Sequence, residues 1–150
     1  MPDAVVREIL VRAPLSRVWR AVSDWREFGT WFGAELADPF EERRRVEGRM
    51  IHPRAEGMPF VARVAVLRPE TLLAFEWPAY VEDEGVLENE PWTRVEIRLA
   101  PVGDATRVTV TESGFDRLPA RVRDRVRREN EGGWEAQALN LAEHLTARAT

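Results

Sequence analysis

The sequence has 150 residues, a formal net charge of -4 and no cysteine, and its 22 basic residues are all arginine. A chain of this length forms one domain, 1–150, and the lack of cysteine and lysine excludes disulfides, thiolate metal sites, Schiff-base chemistry and a P-loop lysine. An acidic chain without a basic tail also gives no reason to expect nucleic acid as its main partner.

The first predicted elements are one strand and two short helices. Residues 5–11 alternate between apolar and polar side chains, which indicates a strand. Pro14 suits the first turn of a helix. A second helix begins after Asp24, a typical N-cap, and ends at Gly33. The apolar positions that follow helical spacing in these two helices are Leu15, Val18, Trp19, Val22, Trp25, Phe28, Trp31 and Phe32.

The middle of the chain consists mainly of predicted strands. In the first of them, Val46, Gly48, Met50 and His52 share one face, and Gly48 permits a bulge or a close backbone approach. An acidic stretch, residues 81–90, interrupts the series and is predicted to be a loop. The predicted strands cover residues 44–53, 60–67, 72–77, 92–99 and 106–115.

One long amphipathic helix is predicted to begin at Pro119 and to end the chain. Two adjacent glycines, Gly132 and Gly133, each cost about 1 kcal/mol in a helix interior, so they predict a kink, a break or a point of close packing. The apolar stripe beyond them consists of Trp134, Ala138, Leu141 and Leu145, widened by Leu139 and Ala142.

The order of these elements predicts an α+β fold. Short connections between consecutive strands imply antiparallel pairing, and the helices are clustered rather than alternating with the strands. We therefore expect a curved antiparallel sheet of about seven strands wrapped around the long C-terminal helix, with the two short helices after the first strand.

Cellular location is predicted from what the sequence lacks. No apolar run approaches the roughly 20 residues that cross a bilayer, so no membrane span is expected. The first residues lack the basic, apolar and small-residue succession of a secretory signal. The prediction is a cytoplasmic protein.

Several motifs together resemble the SRPBCC or START-like superfamily, and within it the bacterial domains similar to the Hsp90 ATPase activators, which are also described as polyketide cyclase-like. The resemblance covers nearly the whole chain and depends on the order of its motifs. They are Ala13-Pro14 with Val18-Trp19, Trp31-Phe32, Pro69-Glu70 with Phe75 and Trp77, Thr106 to Thr109, Ser113-Gly114-Phe115, and Gly133-Trp134 with the leucines that follow.

This resemblance implies a single START-like helix-grip domain over residues 1–150, with a cavity between the sheet and the C-terminal helix. The family binds or processes lipids, polyketides and other aromatic compounds. Relatives often have two glycines where this chain has Glu47 and Gly48. Eukaryotic Hsp90 activators carry an additional chaperone-binding domain that has no counterpart here, so the resemblance does not favour a chaperone partner.

Candidate catalytic groups are few. His52 shares a predicted inward face with Met50, and Tyr80, the only tyrosine, follows Pro78 at the edge of the acidic loop. Either could serve as an acid or base, although a structural role is the stronger expectation for both. The two histidines, His52 and His144, do not form an HExxH motif, so no metal site and no cofactor are predicted.

The function predicted from the sequence is the binding of a small hydrophobic or aromatic molecule, without an evident catalytic constellation. Two alternatives stay open: a cyclase-, aromatase- or hydrolase-type enzyme that uses acid or base groups of the cavity, and a chaperone-interacting module. A homodimer is also compatible with the sequence. The predicted ligand-binding residues are Trp31, Phe32, Met50, His52, Phe60, Phe75, Trp77, Tyr80, Val95 and Trp134.

Overall fold

The computed structural model describes residues 4–52, 57–78 and 92–148. Within these ranges, seven strands, three α-helices and one 3-10 turn follow one another. In order they are β1 (Val5–Val11), α1 (Leu15–Ser23), α2 (Trp25–Phe32), β2 (Ala34–Leu36), β3 (Arg45–Met50), β4 (Pro59–Arg68), β5 (Leu72–Trp77), β6 (Thr93–Val102), β7 (Ala105–Ser113), the 3-10 turn (Phe115–Arg117) and α3 (Ala120–Arg148).

The seven strands form one curved sheet in the order β1-β7-β6-β5-β4-β3-β2, and every neighbouring pair is antiparallel. Only the β1–β7 pair joins strands that are distant in sequence. The register between β4 and β5 shifts between Val64 and Val66, as at a β-bulge. With α3 lying against this sheet, the architecture confirms the predicted α+β helix-grip fold.

The two short helices begin and end where their capping residues predict. The Asp24 carboxylate accepts hydrogen bonds from the backbone N–H groups of Arg26 and Glu27, both at 3.0 Å. Gly33 ends α2 in the left-handed conformation, with φ of 88°. The Trp31 indole N–H donates to the Ala21 carbonyl oxygen at 2.8 Å, which ties α2 to α1.

β2 is the strand that the sequence did not locate. It has three residues and pairs antiparallel with β3, opposite Gly48. A Cβ atom at position 48 would overlap the carbonyl oxygen of Glu35 on β2, so the predicted close backbone approach is confirmed. The strand escaped detection because three residues carry hardly more than one cycle of alternation.

A break or close packing at the two glycines, and an inward position for Leu139, are wrong predictions for the last helix, whereas a kink at the glycines stays a prediction. α3 continues through Gly132 and Gly133 without a break, and a Cβ atom at either position would meet nothing within 4 Å, so close packing does not explain them. The side chain of Leu139 is 59% exposed, whereas Leu141 is buried. The inward face of α3 is therefore narrower than predicted, because the helix lies on the sheet along one stripe only.

The core lies between α3 and the concave face of the sheet, with α1 and α2 closing one side. Inward side chains of β6 and β7 alternate with outward ones, as the sequence predicts for β6. The buried residues that α3 contributes are Val122, Val126, Trp134, Ala138, Leu141 and Leu145. Within the described ranges, no helix is long and apolar enough to cross a membrane.

Candidate functional site

A buried carboxylate stands at the inward end of β7. The alternation of this strand places Thr106, Val108 and Val110 on the concave face, and Glu112 occupies the next inward position. Its side chain is fully buried, with 0% exposure. A carboxylate in such a place requires hydrogen-bond donors, because burial removes its water.

Four neutral donors from three elements surround this carboxylate. Oε2 of Glu112 accepts from the Trp77 indole at 2.8 Å and from the Thr93 hydroxyl at 2.6 Å. Oε1 accepts from the Trp134 indole at 2.8 Å. The Asn130 amide donates to both oxygens, at 3.1 and 3.2 Å. None of the described arginines forms an ion pair with Glu112.

The two indoles that donate to Glu112 also stack on each other. The ring centroids of Trp77 and Trp134 are 5.6 Å apart, with an angle of 28° between their planes. Phe32, the last residue of α2, lies 6.1 Å from each of them. Phe60 contacts both Phe32 and Trp77, at 5.7 and 6.1 Å. Glu112 therefore fixes the orientation of two rings in an aromatic cluster that joins α2, β4, β5 and α3.

An opening of about 110 Å³ lies where α2 and β5 end against α3. Its lining residues are Phe32, Trp77, Gly133, Trp134 and Gln137, and we call this feature the aromatic opening. The Gln137 amide donates to the Phe32 carbonyl oxygen at 2.8 Å, which fixes the end of α2 against α3. Gln137 in turn accepts from the Asn140 amide at 3.1 Å. The walls of the opening are thus held by hydrogen bonds as well as by ring contacts.

The interior beneath α3 is packed more tightly than a ligand cavity. The space enclosed by β1, β6, β7 and the middle of α3 measures about 10 Å³, roughly the room that one water molecule needs. Its walls include Ile97, Val108, Val110 and Leu141. The aromatic opening, with about 110 Å³, therefore offers far more room for a ligand than this interior space of about 10 Å³.

The predicted ligand-binding residues fall into three groups. Phe32, Trp77 and Trp134 line the aromatic opening. Phe60 and Phe75 stand behind it, with Phe75 at 5.3 Å from Trp77. The remaining described residues lie elsewhere: Trp31 faces the packed interior, Val95 is fully buried, Met50 packs against the core from the end of β3, and His52 lies beyond that strand.

Of the two candidate acid or base residues, His52 is described, and it lies apart from the aromatic cluster. The prediction that His52 shares the inward face of Met50 is wrong, because β3 ends at Met50 and His52 follows as an exposed residue. His52 lies instead in a wide surface groove with Asn140 and His144. Tyr80 lies outside the described residues.

Sequence reasoning missed the polar part of this site. Glu112, Thr93 and Asn130 were not among the predicted residues, and neither was Gln137. The sequence did contain a signal for Glu112. Inward residues recur at every second position of β7, and Glu112 follows Val108 and Val110 in that series, so its side chain points inward. The donors gave no such signal, because their convergence depends on how β5, β6 and α3 pack.

A second polar cluster joins the three helices. Oε2 of Glu27 lies 2.5 Å from Arg17 Nη2 and 2.7 Å from His144 Nε2, and Arg20 lies 3.7 Å from the other oxygen. Burial alone raises the pKa of Glu27, but the hydrogen bonds and the charges of Arg17 and His144 outweigh it, so this pKa lies below its usual value of 4.5. The cluster is an ion-pair network between α1, α2 and α3.

Metal ligands do not cluster in the part of the chain that the structure describes. No group of three or more histidine, aspartate or glutamate side chains there has the geometry to hold an ion.

An antiparallel sheet curved about one long helix, with an aromatic opening beside that helix, defines a helix-grip domain. The chain belongs to the Activator of Hsp90 ATPase homolog 1-like protein family, which matches residues 12–146, and thereby to the SRPBCC superfamily. No curated protein sequence matches the chain.

Solved structures share the fold over nearly the whole chain. DynU16, from the dynemicin biosynthetic locus, is 26% identical with a TM-score of 0.74 over 97% of this chain, which spans only 48% of DynU16. A protein from Arthrobacter aurescens has a TM-score of 0.80 at 17% identity, over 97% of this chain and 87% of its own. MLL2253 from Mesorhizobium loti has a TM-score of 0.77 at 17% identity, over 96% and 97%.

Proposed function

We propose that this protein binds a small hydrophobic or aromatic molecule at the aromatic opening. The single observation that carries the proposal is the stacked pair Trp77 and Trp134, which borders an opening of about 110 Å³ and is held from behind by Glu112. Burial of apolar surface against these rings yields about 25 cal/mol per Å². Gln137 supplies the polar part of the wall, as is usual in ligand sites.

Preorganisation supports binding at this position. A ring that hydrogen bonds hold in place loses little conformational freedom when a ligand packs against it. Trp77, Trp134 and the end of α2 are all held in this way. The likeness to DynU16, a protein of the dynemicin biosynthetic locus, agrees with a small-molecule ligand.

The size of the opening limits what is bound. Its volume of about 110 Å³ approaches that of a cavity of about 150 Å³ that binds benzene. We infer that one ring or a comparably compact group enters, and that the rest of a larger ligand stays outside. The enzymatic and the chaperone-interacting alternatives, a homodimer and the cytoplasmic location stay predictions from the sequence.

The test is a screen of single-ring and two-ring aromatic compounds and of lipids by quenching of tryptophan fluorescence and by thermal shift. Replacement Trp77→Phe reduces one wall and removes its hydrogen bond to Glu112, so it should weaken the binding of any positive compound about tenfold. Trp25→Phe is the matched control, since Trp25 lies on α2 outside the opening and is stacked under the Arg26 guanidinium at 4.6 Å. Equal affinity of the two variants, or no binding by any compound, would contradict the proposal.

A further inference from the structure

The aromatic opening combines apolar walls with an unbalanced negative charge behind them. Glu112 is fully buried, and its described hydrogen-bond partners are two indoles, one hydroxyl and one amide. Buried carboxylates in proteins are usually balanced by an arginine, a lysine or a metal. The four neutral donors orient toward the charge without cancelling it, so a negative potential remains at the rings.

The hydrogen bonds from Trp77 and Trp134 to Glu112 make the faces of the two indole rings more negative. An indole that donates its N–H to a carboxylate is polarised, and electron density moves toward its π system. Tryptophan is already the aromatic side chain that attracts cations best over its face. Both Trp77 and Trp134 are polarised by the same carboxylate, at 2.8 Å each.

Among the described residues, the lining of the opening presents no cation that would compete with the ligand. Phe32, Trp77, Gly133, Trp134 and Gln137 are all uncharged.

We propose that the ligand of the aromatic opening carries a compact organic cation, such as a substituted ammonium group, which lies against Trp77 and Trp134 while Glu112 supplies the balancing charge from behind the rings. This inference rests on the proposed function and names the ligand class for the same site. Glu112 acts on the ligand through the two indoles and is a positioning and selectivity residue.

The experiment compares two probes of equal shape and different charge. Phenyltrimethylammonium carries the cation, and tert-butylbenzene is its neutral isostere. Binding to the full chain is measured by tryptophan fluorescence and calorimetry. We expect the cation to bind about tenfold more tightly than the isostere. Replacement Glu112→Gln keeps the size of the side chain and removes the charge, so this ratio should fall to near one.

A second variant keeps the test independent of whether Glu112→Gln folds. Gln137→Glu places a carboxylate in the lining itself and should raise the ratio of cation to isostere affinity. Equal affinity of the two probes for the wild-type chain, or a ratio that a folded Glu112→Gln variant leaves unchanged, would overturn the inference and leave the proposed function intact. If the isostere, the cation and the screened aromatic compounds all fail to bind, the proposed function itself is wrong.

Discussion

At the scale of single residues, Glu112 decides the arrangement of the site. Its carboxylate orients Trp77, Trp134, Thr93 and Asn130 at once, so one side chain determines the position of groups on β5, β6 and α3. Apolar packing could bury these indoles in several orientations, but hydrogen bonds to a common acceptor select one. The cost of losing such an acceptor exceeds that of one hydrogen bond, because every donor is left without a partner.

Replacement Glu112→Ala should therefore lower the free energy of unfolding by about 3–5 kcal/mol, because it leaves buried donors unsatisfied and opens a cavity. Urea unfolding followed by far-UV circular dichroism measures the change. Glu8→Ala is the matched control on the neighbouring strand β1, where the Glu8 side chain is 59% exposed. It should change stability by no more than about 0.5 kcal/mol. Similar losses for both variants would refute this role of Glu112.

At the scale of elements, α3 shows where sequence patterns suffice and where they do not. The stripe of Trp134, Ala138, Leu141 and Leu145 is buried as its spacing predicts. Gly132 and Gly133 nevertheless leave the helix unbroken, since packing of the residues around them outweighs a weak local preference. Both glycines are exposed, and only Gly133 borders the aromatic opening.

Because only Gly133 borders the opening, alanine substitutions at the two glycines distinguish an effect on stability from an effect on binding. Gly132→Ala and Gly133→Ala should each raise the free energy of unfolding by roughly 0.5–1 kcal/mol, because alanine loses less backbone entropy in a helix and neither methyl group meets an obstacle. A methyl group at position 133 also enters the edge of the opening. Fluorescence titration with an aromatic probe should show weaker binding for Gly133→Ala alone, and equal affinities would argue against this location of the site.

At the scale of the whole molecule, the sequence predicted the strands that have regular alternation and missed the contacts between elements. The bounds of β1 and β5 follow directly from their patterns, whereas β2 forms only because Gly48 lets two backbones meet. For the site, the rings of Phe32, Trp77 and Trp134 were foreseen as apolar residues. The carboxylate that orients them was not, because its donors come together only in the folded chain.

Acid should weaken the whole fold partly through Glu27, which joins α2 to α1 and α3. Its pKa is lower in the folded chain than its usual value of 4.5, so the ionised carboxylate favours folding. That contribution is complete above pH 4.5 and is lost as the pH falls through the folded pKa. The groups that face it are the guanidinium groups of Arg17 and Arg20 and the imidazole of His144.

Replacement Glu27→Gln should cost about 1–3 kcal/mol at neutral pH, and the difference from the wild-type chain should shrink in acid. Thermal unfolding over a series of pH values measures both. Glu35→Gln serves as the control, because the pair of Glu35 and Arg49 is exposed and contributes little. A difference between Glu27→Gln and wild type that stays constant down to the acid limit would show that ionisation of Glu27 is not responsible.

The contact at Gly48 also limits how the gene can change during evolution. Any side chain at position 48 would overlap β2, the strand that follows α2. No other amino acid therefore fits there unless β2 and β3 separate. Glycine is encoded by two fixed bases and a free third one. In the gene, the codon for residue 48 should therefore accumulate changes in its last base only, while the neighbouring codon for the exposed Glu47 drifts freely.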